Sequence, residues 1–166
     1  SSTSTLTIAD SGAVTCADLW MAEGSSSTAT INLNGGSLSV ASITNGAGTA
    51  TVNLNGGTLK PTADGVLIPS GVTLTVGATE STIELTGQTV TIDGALAGIY
   101  GTAQTTGVLK VKGWGTLVVT GEVKLDTLTV EPSDYYTSDS DYTLTLGAKS
   151  VFVRHLYGAG DITTKS

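Results

Sequence analysis

Ala29-Thr30-Ile31-Asn32-Leu33-Asn34-Gly35-Gly36-Ser37-Leu38 returns almost letter for letter as Ala50-Thr51-Val52-Asn53-Leu54-Asn55-Gly56-Gly57-Thr58-Leu59, twenty-one residues later. That interval is close to one turn of a β-solenoid, in which each coil buries its apolar side only by stacking on the coils above and below. Period-two alternation dominates around the repeat, with Ile31 and Leu33, Val52 and Leu54, Leu74 and Val76, Ile83 and Leu85, and Leu117 and Val119 as inward pairs. Thr, Ser, Lys and Glu stand between them and are expected to face water. Glycines break the alternation into strands of about four to six residues. The expectation is an all-β chain, a parallel β-helix of roughly seven coils. It is read as one solenoid domain over residues 1–166, a segment of a longer or polymerising protein. Asn-Gly is equally a hairpin signal, so an antiparallel β-sandwich is the alternative.

Composition narrows the function classes. The chain has 166 residues, 39% of them hydrophobic and 13% charged, enough apolar material for a long, thin core. The formal charge is −7 and Arg154 is the only arginine, so nucleic acid is not an expected partner, because a polyanion needs a basic track. The same acidity argues against docking on anionic lipid, and no apolar run approaches a membrane span. The first residues are Ser1-Ser2-Thr3, without an initiator Met, which reads as a processed chain or a piece of a longer one.

The repeated corners are the structural candidates. In Asn34, Gly35 and Gly36, and again in Asn55, Gly56 and Gly57, glycine tolerates positive φ at a bend, and Asn34 one coil from Asn55 is expected to form a side-chain amide ladder. Cys16 is the only cysteine, which excludes an intrachain disulfide. It alternates with Val14 and reads as a small inward hydrophobe, an intermolecular disulfide being the alternative.

Val111-Lys112-Gly113-Trp114-Gly115-Thr116-Leu117-Val118-Val119-Thr120-Gly121 resembles the Lys-x-Gly-x-Gly-Thr-Leu-x-Leu-Thr-Gly unit of autotransporter-associated β-strand repeats. Upstream, Ile92-Asp93-Gly94-Ala95-Leu96-Ala97-Gly98 and Gly107-Val108-Leu109-Lys110 are similar to the segment that leads into that unit. The resemblance extends to Leu19-Trp20-Met21-Ala22-Glu23-Gly24 and to Leu156-Tyr157-Gly158-Ala159-Gly160-Asp161-Ile162. It implies a right-handed parallel β-helix, secreted and displayed at a bacterial cell surface as a stalk or adhesin segment.

Catalysis is poorly supported. Polysaccharide-degrading β-helices gather carboxylates and a basic residue on one face, whereas here the carboxylates are dispersed. Arg154 and His155 coincide, but strand neighbours point to opposite faces. The chain therefore reads as non-enzymatic, with no catalytic residue, no cofactor and no metal site expected. A carbohydrate-binding or polysaccharide-degrading β-helix is the alternative. Residues 131–142 gather four carboxylates and three tyrosines in one expected loop. Tyr135, Tyr136 and Tyr142 there offer faces for a sugar ring, and Asp139 and Asp141 offer oxygens; a glycan or a cell-surface protein is the ligand class, and Ca²⁺ is a further possibility whose spacing fails the known loop patterns.

Two further readings concern the surface. Thr-x-Thr occurs at Thr5 to Thr7, Thr28 to Thr30, Thr49 to Thr51, Thr73 to Thr75, Thr89 to Thr91, Thr127 to Thr129 and Thr143 to Thr145. A flat ladder of such pairs can bind ice, but the irregular spacing argues against it here, and Thr is favoured on any strand. The other reading is self-association. Neither Ser1 to Thr5 nor Thr163 to Ser166 carries a capping signal, so the partners expected are flanking coils of the same chain or a second copy stacked end to end.

Overall fold

The computed structural model describes residues 1–98, 106–132, 144–158 and 161–164. Eleven strands follow one another in these residues: β1 (Thr3–Met21), β2 (Thr28–Asn45), β3 (Thr49–Leu54), β4 (Thr58–Pro61), β5 (Gly65–Ile68), β6 (Val72–Val76), β7 (Ser81–Ile92), β8 (Leu96–Gly98), β9 (Val108–Pro132), β10 (Leu144–Gly158) and β11 (Asp161–Thr164). All the pairings among them are parallel, which excludes the antiparallel sandwich and makes the chain a β-solenoid. No helix occurs among the described residues, and so none long and apolar enough to cross a membrane.

Each rung runs in three legs. The first legs are residues 3–10, 28–35, 49–54, 72–76 and 96–98, paired in that order. A second set of legs descends from 13–16 through 37–40, 58–61 and 81–86 to 109–114. The third legs include 18–21 on 42–45, and 65–68 on 89–92 on 116–119. About five turns are closed in this way rather than the roughly seven expected, and the strands from Glu122 onward extend the stack. The difference has a plain cause. The twenty-one-residue step from Thr28 to Thr49 is not general, since the step before it, Thr3 to Thr28, and later ones such as Ser81 to Leu109 are longer.

The core is one continuous column. Ile31, Leu33, Leu38, Val40, Val52, Leu54, Leu59, Ile83, Leu85, Leu117, Val119, Val123 and Leu128 are all buried along it, as period two demands. The repeated corners lie one above the other, with Leu33 in register with Leu54 and the Asn55 amide donating to the Leu33 carbonyl at 2.8 Å. Gly36 holds φ +62°, and a Cβ there would run into the Gly12 carbonyl of the rung before. In the stretch Lys112-Gly113-Trp114-Gly115, Gly113 has φ +101°, and its absent Cβ leaves room for the Leu85 carbonyl. The glycines of the repeat unit are thus placed where one rung's backbone leans on the next.

The amide ladder is displaced from where the sequence suggested. Asn53 Nδ2 donates to Asn32 Oδ1 at 2.8 Å, and Thr75 Oγ1 donates to Asn53 Oδ1, so the rungs are tied at Asn32, Asn53 and Thr75 rather than at Asn34 and Asn55. Asn34 and Asn55 sit at the bend itself, both exposed, and the Asn55 side chain lies over Gly77. A ladder requires a flat, repeated backbone, which the leg provides and the corner does not.

Candidate functional site

Two surfaces stand out once the rungs are stacked. The first is the outer edge of β1, the first strand of the stack. Leu6 is in register with Ile31, Val14 with Leu38, Cys16 with Val40, and Leu19 with Ile43. The four β2 residues are at most 2% exposed, whereas Leu6 is 36% exposed and Val14, Cys16 and Leu19 are only half-buried. Cys16 therefore packs beside Val14 against the core, as its alternation implied, and is a free thiol. The late rung formed by β10 behaves likewise: Leu156 is 55% exposed above a fully buried Leu128.

The second is the outward side of the first legs. Thr3, Thr28 and Thr49 form one rank across the rungs; Thr5, Thr30, Thr51 and Thr73 form the next; Thr7, Asn32, Asn53 and Thr75 form a third. Four of the seven Thr-x-Thr pairs thus share one face. Thr89 and Thr91 lie on a different leg, and Thr127 and Thr129 are in β9, away from that array. The irregular spacing that spoke against such an array is absorbed at the corners, where Asp10 and Ala13 bracket a register shift, while the legs stay aligned. A shallow groove of about 330 Å³ borders the third rank, between Asn53, Asn55, Thr75 and Gly77.

Outside this array several charges form ion pairs. Lys60 Nζ lies 2.8 Å from Glu84 Oε2, beside a groove of about 360 Å³. Lys110 Nζ lies 3.2 Å from Glu80 and 3.7 Å from Glu131, and the hydrogen bond to Glu80 is the main cause of a Lys110 pKa above its ordinary value, against a smaller opposing effect of desolvation. Arg154 Nη1 is 3.4 Å from Asp126 Oδ1, and the exposed His155 ring stacks on Tyr157 with centroids 6.4 Å apart. Arg154 and His155 thus engage different partners. Among the described residues no three of His, Cys, Asp and Glu gather as a metal site. Tyr135, Tyr136, Asp139, Asp141 and Tyr142, the residues expected to meet a glycan or protein, lie outside the described residues.

No protein-family model, curated protein or solved structure matches this chain. The surfaces must be read from their own geometry.

An uncapped edge is among the sequence expectations, but which aliphatics of β1 it leaves half-exposed cannot be read from sequence, because Leu6 and Ile31 sit in the same alternating pattern. The Thr ranks were visible as dipeptide spacings, but their alignment depends on how many residues each corner absorbs. No local signal gives that number.

Proposed function

We propose that this chain is a non-enzymatic structural segment of an extracellular, cell-surface β-solenoid, and that its open rung edges accept further rungs from flanking coils or from a second subunit. The observation that carries the reading is that Leu6, Val14, Cys16 and Leu19 of β1 are only partly covered, although Ile8 and Met21 of the same strand are buried, whereas the register partners of those four one rung further in are all but inaccessible. A rung laid on β1 would pair its free N–H and C=O groups and cover Leu6, Val14, Cys16 and Leu19 in one step. Export and surface display rest on the resemblance of Lys112-Gly113-Trp114-Gly115-Thr116-Leu117 to autotransporter-associated repeats, and an adhesive role follows from that resemblance.

Sedimentation velocity over a concentration series tests the edge. The expected result is reversible association that Leu6→Lys abolishes, because an inward charge on an edge strand blocks a covering rung. A chain that stays monomeric at the highest attainable concentration, with Leu6→Lys indistinguishable from it, contradicts association through β1.

A further inference from the structure

We infer that the Thr and Asn face of the first four rungs is an ice-binding surface. This assignment concerns the lateral face and stands apart from the edge association.

The face has the attributes that an ordered water lattice selects. It is periodic in two directions, with neighbouring rungs about 4.8 Å apart and successive outward residues of a leg about 6.7 Å apart. Ranks three and four rungs deep therefore make a patch of about 14 Å by 14 Å. Each Thr presents a hydroxyl and a methyl from a side chain with restricted χ1, so register in the backbone becomes register in the displayed groups. Thr5, Thr30, Thr51 and Thr73 give the longest rank made of Thr alone. The bonds from Asn53 to Asn32 and from Thr75 to Asn53 hold three of the four members of the third rank in place, so these side chains have little freedom left to lose on contact with a rigid surface.

Charge separates this face from the rest of the molecule. The outward positions of residues 3–7, 28–32, 49–53 and 73–75 are all Thr or Asn, and the nearest charged residue on these legs is Asp10, at the corner. An ion would impose its own hydration shell on an adjoining lattice. The same face in later rungs shows what such an interruption looks like: Thr75 is followed in register by Ala97, then Lys124, then Phe152, with the Lys124 ammonium 5.6 Å from the Phe152 ring. The second legs carry the Lys60–Glu84 pair and Lys110, whose partner Glu80 stands just before its leg. A protein partner or a soluble sugar gains from such polar anchors, whereas a lattice of water oxygens is matched by uncharged, evenly spaced hydroxyl and methyl groups.

Thermal hysteresis and ice-crystal shape, measured on the full chain in a nanolitre osmometer, test the assignment. The parent is expected to lower the freezing point below the melting point and to produce faceted crystals. Thr51→Lys, at the centre of the patch, is expected to reduce the hysteresis severalfold, while Thr58→Lys on the second leg leaves it unchanged. Circular dichroism checks that each variant folds. Should Thr51→Lys not fold, Thr73→Lys, at a more exposed position, carries the same expectation. Three results would overturn the assignment: no hysteresis and no shaping from the parent at millimolar concentration, hysteresis retained in both Thr51→Lys and Thr73→Lys, or binding to microcrystalline cellulose without any effect on ice. A parent that is inactive on ice but forms a dimer lost in Thr51→Lys would assign the face to a second copy instead.

Discussion

β1 and β2 are neighbours with the same alternating pattern, yet they live in different surroundings. Leu6, Val14, Cys16 and Leu19 of β1 face the axis as Ile31, Leu38, Val40 and Ile43 of β2 do, in one-to-one register. Only the β2 set is fully buried, because β2 has β1 on one side and β3 and β4 on the other. At these four positions the neighbouring rungs complete the burial, while Ile8 and Met21 of β1 are buried with β2 as their only paired strand.

The largest consequence concerns the aliphatics. Leu33→Ala, in an interior rung, is expected to cost about 2–5 kcal/mol, and Leu6→Ala about 1 kcal/mol or less, because the end site is already partly wet. Urea denaturation of the two variants measures the gap, and equal losses would break the distinction between end and interior.

Next in size is a matched pair of glycines. Gly113 and Gly65 have similar positive φ, +101° and +116°, but a Cβ on Gly113 meets the Leu85 carbonyl of the adjoining rung and one on Gly65 meets nothing within 4 Å. Both alanine variants carry the conformational strain, and Gly113→Ala is expected to be worse by about 1–3 kcal/mol, the cost of displacing a packed neighbour. Thermal denaturation of both variants reads that difference directly.

A smaller effect is expected in the third rank of the outward face. Asn53→Ala removes two rung-to-rung hydrogen bonds and is expected to lower stability by about 1–2 kcal/mol, whereas Thr7→Ala at the open end should be close to neutral. Chemical denaturation of the pair sharpens the comparison at a polar position.

The smallest effect is electrostatic. Lys110 is tied to Glu80 and Glu131, and its pKa is raised above the ordinary 10.5. The stability it contributes is therefore fully present below that ordinary value and is lost as pH rises through the higher folded value. Both carboxylates are about half exposed, so the contribution is under about 1 kcal/mol. Lys110→Gln should be slightly less stable than the parent at neutral pH, with the difference vanishing in strongly alkaline urea titrations.

Much of the architecture was legible in the sequence because the duplicated Asn-Gly-Gly unit reports a local repeat, and period two reports which side chains turn inward. Ile31, Leu33, Val52 and Leu54 needed no more than that. What escaped was whatever depends on neighbouring rungs. The number of turns comes out too high from sequence because the one twenty-one-residue step stands between longer ones. The ladder was expected at Asn34 and Asn55 because the repeat is most conspicuous there, whereas hydrogen bonding between rungs favours the flat leg at Asn32 and Asn53. The Thr-x-Thr pairs looked irregular because sequence counts the corner residues that three-dimensional register ignores. Of the candidate site residues, the two Asn-Gly-Gly corners are bracketed by the registered pairs Leu33 with Leu54 and Ser37 with Thr58, while Tyr135, Tyr136, Asp139, Asp141 and Tyr142 fall outside the described residues.

The register of the rungs underlies both the open edge and the Thr face, and methyl-selective NOE spectroscopy on threonine-labelled protein tests it most directly. A continuous chain of cross-peaks from Thr5 to Thr30, Thr30 to Thr51 and Thr51 to Thr73 is predicted, since these residues occupy adjacent parallel strands. A Thr51 methyl with no cross-peak to either Thr30 or Thr73 would contradict the stacked arrangement.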